Sequence, residues 1–206
     1  MNLIDLSVAR LGVDLLTINA AKVYGPKGIG ALYVARGIKL SPITFGGGQE
    51  MGLRSGTENV PSLVGFSVAS ELAKKHLVSS RKQYQVLTKT FREIIEQKSK
   101  IIPLWLGNPK HQLANFIPVC FDGLDAERLI FKLEDRGIYV STGAACAASK
   151  GQKSHVLSAI GLSDSEIAGS LRITLGKDTT IEDIKTAADN LAEVVNLEAR
   201  RLKLID

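Results

Sequence analysis

Three side chains in this sequence stand where their chemistry could be used. Lys22 lies in NAAKVYGPKG, a turn punctuated by Gly25-Pro26 and Gly28, directly after the apolar run VDLLTI at residues 13–18. A lysine on a turn behind a buried strand can reach a cleft at a sheet edge and lose proton affinity by desolvation, which suits a Schiff base. A plain surface lysine is the commoner reading of such a residue. Cys146 lies in VSTGAACAASKGQ among Gly143, Ala144, Ala145 and Ala147, and such small neighbours predict a mobile loop and a reachable, nucleophilic sulfur. Cys120, by contrast, alternates within NFIPVCF and reads as a small core residue. Arg172 interrupts the apolar run SLRITL and must find a carboxylate or phosphate, so a structural ion pair and a substrate clamp serve it equally.

A fourth feature is the Gly-rich stretch FGGGQEMGLRSGTEN at residues 45–59, too polar for core and long enough to be functional. Its Gly46-Gly47-Gly48 and Ser55-Gly56-Thr57 pieces could present backbone N–H groups and a hydroxyl to an anion such as phosphate. No lysine followed by Ser or Thr closes the glycine spacing, so it matches no P-loop, and a plain flexible loop is the alternative.

The elements that must position these residues follow from periodicity. Residues 13–18 and 29–35 are short apolar runs bounded by Gly and Pro, which predicts buried strands of an α/β sheet flanking the Lys22 turn. After the Gly-rich loop, Leu63, Val64, Phe66, Val68, Ala69 and Leu72, then Tyr84, Leu87, Phe91, Ile94 and Ile95, recur at helical spacing. Pro103 and Gly107-Asn108-Pro109 break that pattern, and a boundary is expected near Ile101. A strand over 115–121 leads to a helix with Asp125 as N-cap and Gly137 just past its end, followed by a strand over 138–141. Residues 154–160 read as helix and 170–175 as strand. A closing helix over 179–202 has Thr179 and Glu182 at capping-box spacing.

Composition narrows the function classes. The chain has 206 residues, 45% hydrophobic and 23% charged, which excludes disorder and low-complexity repeats. Its apolar runs fall well short of the roughly 20 residues that span a bilayer. The start, MNLIDLSVARLGVDLL, lacks the features of a secretory signal, so a soluble, cytoplasmic protein without a membrane partner is expected. Two cysteines are too few for a disulfide framework and read as free thiols. Net charge is +5, and the densest basic stretch, residues 74–100, has helical apolar spacing without interleaved aromatics, so a solvated helix face is expected rather than a nucleic-acid site.

Taken together, VDLLTINAAKVYGPKGIGALYV, FGGGQEMGLRSGTEN, VSTGAACAAS and SLRITLG, in this order and spacing, resemble the C-terminal half of a cysteine desulfurase, a class V aminotransferase-type enzyme dependent on pyridoxal phosphate (PLP). The resemblance implies an α/β chain that is the C-terminal portion of a PLP-dependent transferase of fold type I. Residues 1–58 would end the large PLP-binding domain, residues 59–100 would be connecting helices, and residues 101–206 would form a complete small α/β domain carrying the cysteine loop. Lys22 matches the lysine that holds PLP and moves protons at the substrate carbon. Cys146 matches the cysteine that takes the substrate's sulfur as a persulfide and leaves alanine. Arg172 matches the arginine that binds the substrate carboxylate, and Thr57 the loop residue that reaches the PLP phosphate of the neighbouring subunit.

Asn19 stands beside Lys22 among the cofactor-binding positions, where the family usually reads Ser-Gly-His-Lys or Ser-Ala-His-Lys and this chain reads Asn19-Ala20-Ala21-Lys22. The histidine that helps hold the phosphate is thus replaced by Ala21. The implied partners are L-cysteine, a sulfur-acceptor or scaffold protein for iron–sulfur cluster or thio-modified tRNA synthesis, and a second copy or the family's missing first half. No metal ligand set is assigned. That first half carries the aspartate that keeps the PLP ring protonated as an electron sink, so a partial gene product or one half of a split enzyme is expected. Other readings are a selenocysteine lyase or aminotransferase of the same class, or a non-catalytic sulfur-relay or binding module.

Overall fold

Leu15–Asn19 (β1) and Gly30–Val34 (β2) form an antiparallel pair, with Leu15 opposite Val34 and Asn19 opposite Gly30. They belong to a computed structural model that describes residues 3–142 and 154–206 and divides into two units, Met1–Ser80 and Arg81–Asp206. In the first unit a short helix, Val8–Leu11 (α1), precedes β1, and a 3-10 turn, Ala20–Val23, follows it. Gly30 lets the strands close up here, because a Cβ on it would lie 2.7 Å from the Ile18 carbonyl oxygen. The expectation of buried strands fails: Leu15, Leu32 and Tyr33 are 46%, 51% and 39% exposed. Apolar runs signal a capacity for burial, but burial needs a covering element. The buried cluster of this unit is small, with Ala20, Val23, Phe66 and Ala69 packed against Ile18, Ile29 and Ala73.

Val60–Lys98 (α2) is one continuous helix of 39 residues that crosses the division. Asn59 starts it by accepting the Ser62 N–H on its side chain, and Pro61 falls in the first turn, where its missing N–H is harmless. Tyr84, Leu87, Phe91 and Ile95 repeat at three and four residues and are buried in the second unit.

The second unit is built on a three-stranded antiparallel sheet, Leu104–Trp105 (β3), Phe116–Cys120 (β4) and Ser170–Thr174 (β5), in that spatial order. Two-residue alternation sorts its faces. Ile117 opposite Ile173 and Val119 opposite Leu171 are buried, whereas Phe116, Pro118 and Arg172 share the half-buried opposite face. Ala126–Glu134 (α3) begins at Asp125, whose side chain accepts the Glu127 N–H. Two short helices, His155–Ala159 (α4) and Asp164–Ala168 (α5), precede β5, and Ile181–Arg201 (α6) closes the chain. Gly169, just before β5, allows a close approach to the end of β4, because a Cβ there would lie 2.3 Å from the Phe121 carbonyl oxygen.

Two local expectations are corrected. Residues 138–141 form no strand: the Ile138 N–H bonds the Leu133 carbonyl at the end of α3, and only Ser141 reaches β5, as an isolated bridge to Arg172. The capping box of α6 is Thr180 with Asp183, one residue beyond the expected pair, and the Thr179 hydroxyl instead accepts the Gly176 N–H at 3.0 Å.

Candidate active site

Lys22 is exposed on the 3-10 turn that follows β1, and three local bonds shape that turn. Asn19 caps it, its Oδ1 accepting the Ala21 N–H at 2.9 Å; the Ala20 N–H bonds the Ile29 carbonyl at 3.1 Å; and the Gly25 N–H bonds the Ala20 carbonyl at 2.9 Å. The turn is thus fastened to the hairpin and to its own strand end, while Ala20 and Val23 sink into the cluster beneath. Asn19 has committed its side-chain oxygen to the cap, and its amide N–H groups remain the donors it can offer.

The Gly-rich loop of the same unit is more ordered than its composition suggests. It holds a 3-10 turn, Glu50–Gly52, and a bridge between Thr44 and Arg54. Two of the backbone donors expected to face an anion are already used: the Gly48 N–H bonds Ser55 Oγ at 3.3 Å, and the Gly56 N–H bonds Gln49 Oε1 at 2.9 Å. Ser55 and Gln49 carried that signal in the sequence, as polar side chains able to close the loop on itself. Thr57 follows them, exposed.

Arg172 belongs to the second unit, at the middle of β5. Its backbone N–H donates to the Ser141 carbonyl at 2.6 Å and its carbonyl accepts the Ser141 N–H at 3.2 Å. Both backbone groups therefore point away from β4, where the residue opposite is Pro118, which has no N–H to offer. The side chain is half-buried, its Nε is buried without a hydrogen-bond partner, and the guanidinium lies 5.7 Å from the centroid of the Phe116 ring. No ion pair to Arg172 is found among the described residues, so the structural-ion-pair reading of this arginine lacks its carboxylate.

Cys146 lies outside the described residues. Cys120 is fully buried, and burial, aided by the nearby Asp122 and Glu166 charges, pushes its thiol up to about 11 against a bond to Ser170. Asn19, Lys22 and Thr57 thus fall in the first unit and Arg172 in the second.

A family model described as aminotransferase class-V matches residues 2–186. The chain belongs to that family. It is similar to the cysteine desulfurase IscS 1 of Archaeoglobus fulgidus, at 42% identity over 201 residues, covering 97% of this chain and 51% of that protein. Among solved structures, a NifS-like protein matches at a TM-score of 0.83 and 31% identity over 95% of this chain and 50% of the other. SspA, solved in complex with cysteine, matches at a TM-score of 0.61 and 38% identity over 83% and 46%. The chain spans about half the length of the curated relatives it matches. Its fold is accordingly α/β, a partial fold type I.

Class-V aminotransferases work with PLP, an aldehyde bearing a phosphate. The donor set at the Lys22 turn fits such a group: an exposed primary amine for the aldehyde, with the Asn19 amide on the same capped turn. The phosphate contact of the usual histidine has no counterpart at Ala21.

Proposed function

We propose that this chain is the C-terminal part of a PLP-dependent cysteine desulfurase, which converts L-cysteine to L-alanine and leaves the sulfur as a persulfide on Cys146. The observation that carries the reading is Arg172, a half-buried guanidinium with a buried, unpartnered Nε and, among the described residues, no carboxylate paired with it. A substrate carboxylate supplies what the arginine lacks, in the fork geometry that suits its planar group.

When bound, PLP supplies an electron sink for charge developing at the substrate's α-carbon. Lys22 Nζ holds the cofactor between turnovers and carries the proton to and from that carbon. Asn19 keeps the Lys22 turn in register and offers its amide beside it. Cys146 Sγ accepts the sulfur: one thiol and one L-cysteine become one persulfide and one L-alanine, with no external oxidant. Thr57 contacts the cofactor phosphate of a second copy in a homodimer. A sulfur acceptor or scaffold protein then takes the sulfur, and a reducing compartment such as the cytoplasm suits a nucleophile that must stay a free thiol.

The test uses the PLP-loaded enzyme that contains this chain together with the half its relatives have in addition. Alanine should be released from L-cysteine and a persulfide should map to Cys146, with both lost in C146S beyond background. Alanine release that persists in C146S without a persulfide would instead favour a lyase of the same class. No alanine release in any form would favour the non-catalytic sulfur-relay module that Ala21 in place of the usual histidine suggests.

A further inference from the structure

Arg172 has one neighbour that the reaction as described does not use. Phe116, on the adjacent strand, places its ring 5.7 Å from the Arg172 guanidinium carbon, within the distance at which a cation is attracted to an aromatic face. The two lie on the same half-buried face of the sheet, diagonal to each other, because Pro118 is directly opposite Arg172 and Thr174 directly opposite Phe116. Phe116 is itself held: its N–H bonds the Leu113 carbonyl at 3.1 Å, and its carbonyl accepts the Gln112 side chain. The arginine backbone is fixed by Ser141, yet its long side chain retains several rotatable bonds and, among the described residues, no carboxylate pairs with its tip. An unanchored guanidinium would sample many rotamers and lose that freedom whenever it engaged a ligand.

We propose that Phe116 is a positioning residue, whose ring face holds the Arg172 guanidinium ready for a substrate carboxylate. This rests on the reading of Arg172 as the carboxylate clamp. The ring acts through the arginine and touches no reacting atom. Its effect should therefore appear in substrate affinity and in the order of the arginine side chain, with the chemical step left intact.

Two measurements test it. In NMR spectra of the chain itself, the Arg172 Nε–H and δ protons should be shifted upfield by the ring, and F116L should abolish the shift while F116Y keeps it. In the PLP-loaded enzyme, F116L should raise KM for L-cysteine about three- to tenfold, the range expected for one cation–aromatic contact, with kcat within about twofold of wild type. F116Y should restore KM. Inhibition by L-cysteine methyl ester, which lacks the carboxylate charge, should change less than about twofold in F116L.

The side-chain comparison separates the proposal from the reading beneath it. If R172A raises KM for L-cysteine strongly and F116L does not, the clamp stands and Phe116 has no positioning role. If R172A leaves KM unchanged, the clamp and the proposal fall together. A loss of kcat for L-cysteine in F116L, together with an equal weakening of inhibition by the ester, would mean general structural damage and would overturn the proposal.

Discussion

Replacing Glu198 by Gln tests the packing of α3 against α6 in the unit that carries Arg172. Glu198 is 3% exposed on α6, and Arg128 and Lys132 from α3 and Arg201 from α6 bond its two oxygens at 3.2, 3.3 and 2.7 Å. Burial alone would raise its carboxyl, but the bonds from Arg201, Arg128 and Lys132 outweigh it and hold the group at about 2, against an ordinary 4.5. A depression of that size corresponds to about 3 kcal/mol of stability. The three cations are each 41–49% exposed, so solvent screening brings the expected value nearer to about 2 kcal/mol.

The sign is that of a carboxylate ionised more readily in the folded state. The stabilisation is complete above pH 4.5 and is lost as pH falls from there through 2. Urea unfolding followed by fluorescence of Trp105, the chain's single tryptophan, reads the second unit. E198Q should be less stable than wild type by about 2 kcal/mol at pH 7, and the difference should shrink steadily below pH 4.5. Equal stability at pH 7, or a gap that stays constant down to pH 2.5, would refute the reasoning.

Other outcomes follow from single contacts. Gly169→Ala should cost about 2–3 kcal/mol in the same assay, because its Cβ would press on the Phe121 carbonyl oxygen at 2.3 Å. Asn19→Ala should remove the cap of the Lys22 turn, cost about 1 kcal/mol locally, and speed amide hydrogen exchange at Ala21. Cys120, buried with its thiol near 11, should resist alkylation by iodoacetamide up to pH 9 in the native protein and react only once the chain is unfolded.

Much of the second unit was legible because its signals are local. The side chain of Asp125 caps α3, Cys120 alternates into the core, and β4 and β5 form within a residue of the expected bounds, since turn residues and two-residue alternation carry that information. Long-range effects were not legible. The runs around Leu15 and Leu32 read as buried strands, yet exposure depends on what covers a sheet, and that is not encoded in the strands themselves. Ile138 was drawn into the end of α3 by its backbone bond to Leu133, which left Ser141 alone to pair with Arg172. The capping pair moved by one residue because Asp183 serves at the third position as well as the Glu182 that was expected. At the site, the types and neighbours of Lys22 and Arg172 marked them as candidates, and the half-buried place of Arg172 on β5 fits its position inside an apolar run. The ring of Phe116 beside Arg172 could not, because it depends on the register of two strands more than fifty residues apart.

The most direct test of the central claim is borohydride reduction of the protein incubated with PLP, followed by peptide mass mapping, on this chain alone and together with the half its relatives have in addition. A pyridoxyl adduct should form on Lys22 and be lost in K22A. Adducts spread evenly over the exposed lysines, or an unchanged pattern in K22A, would contradict it.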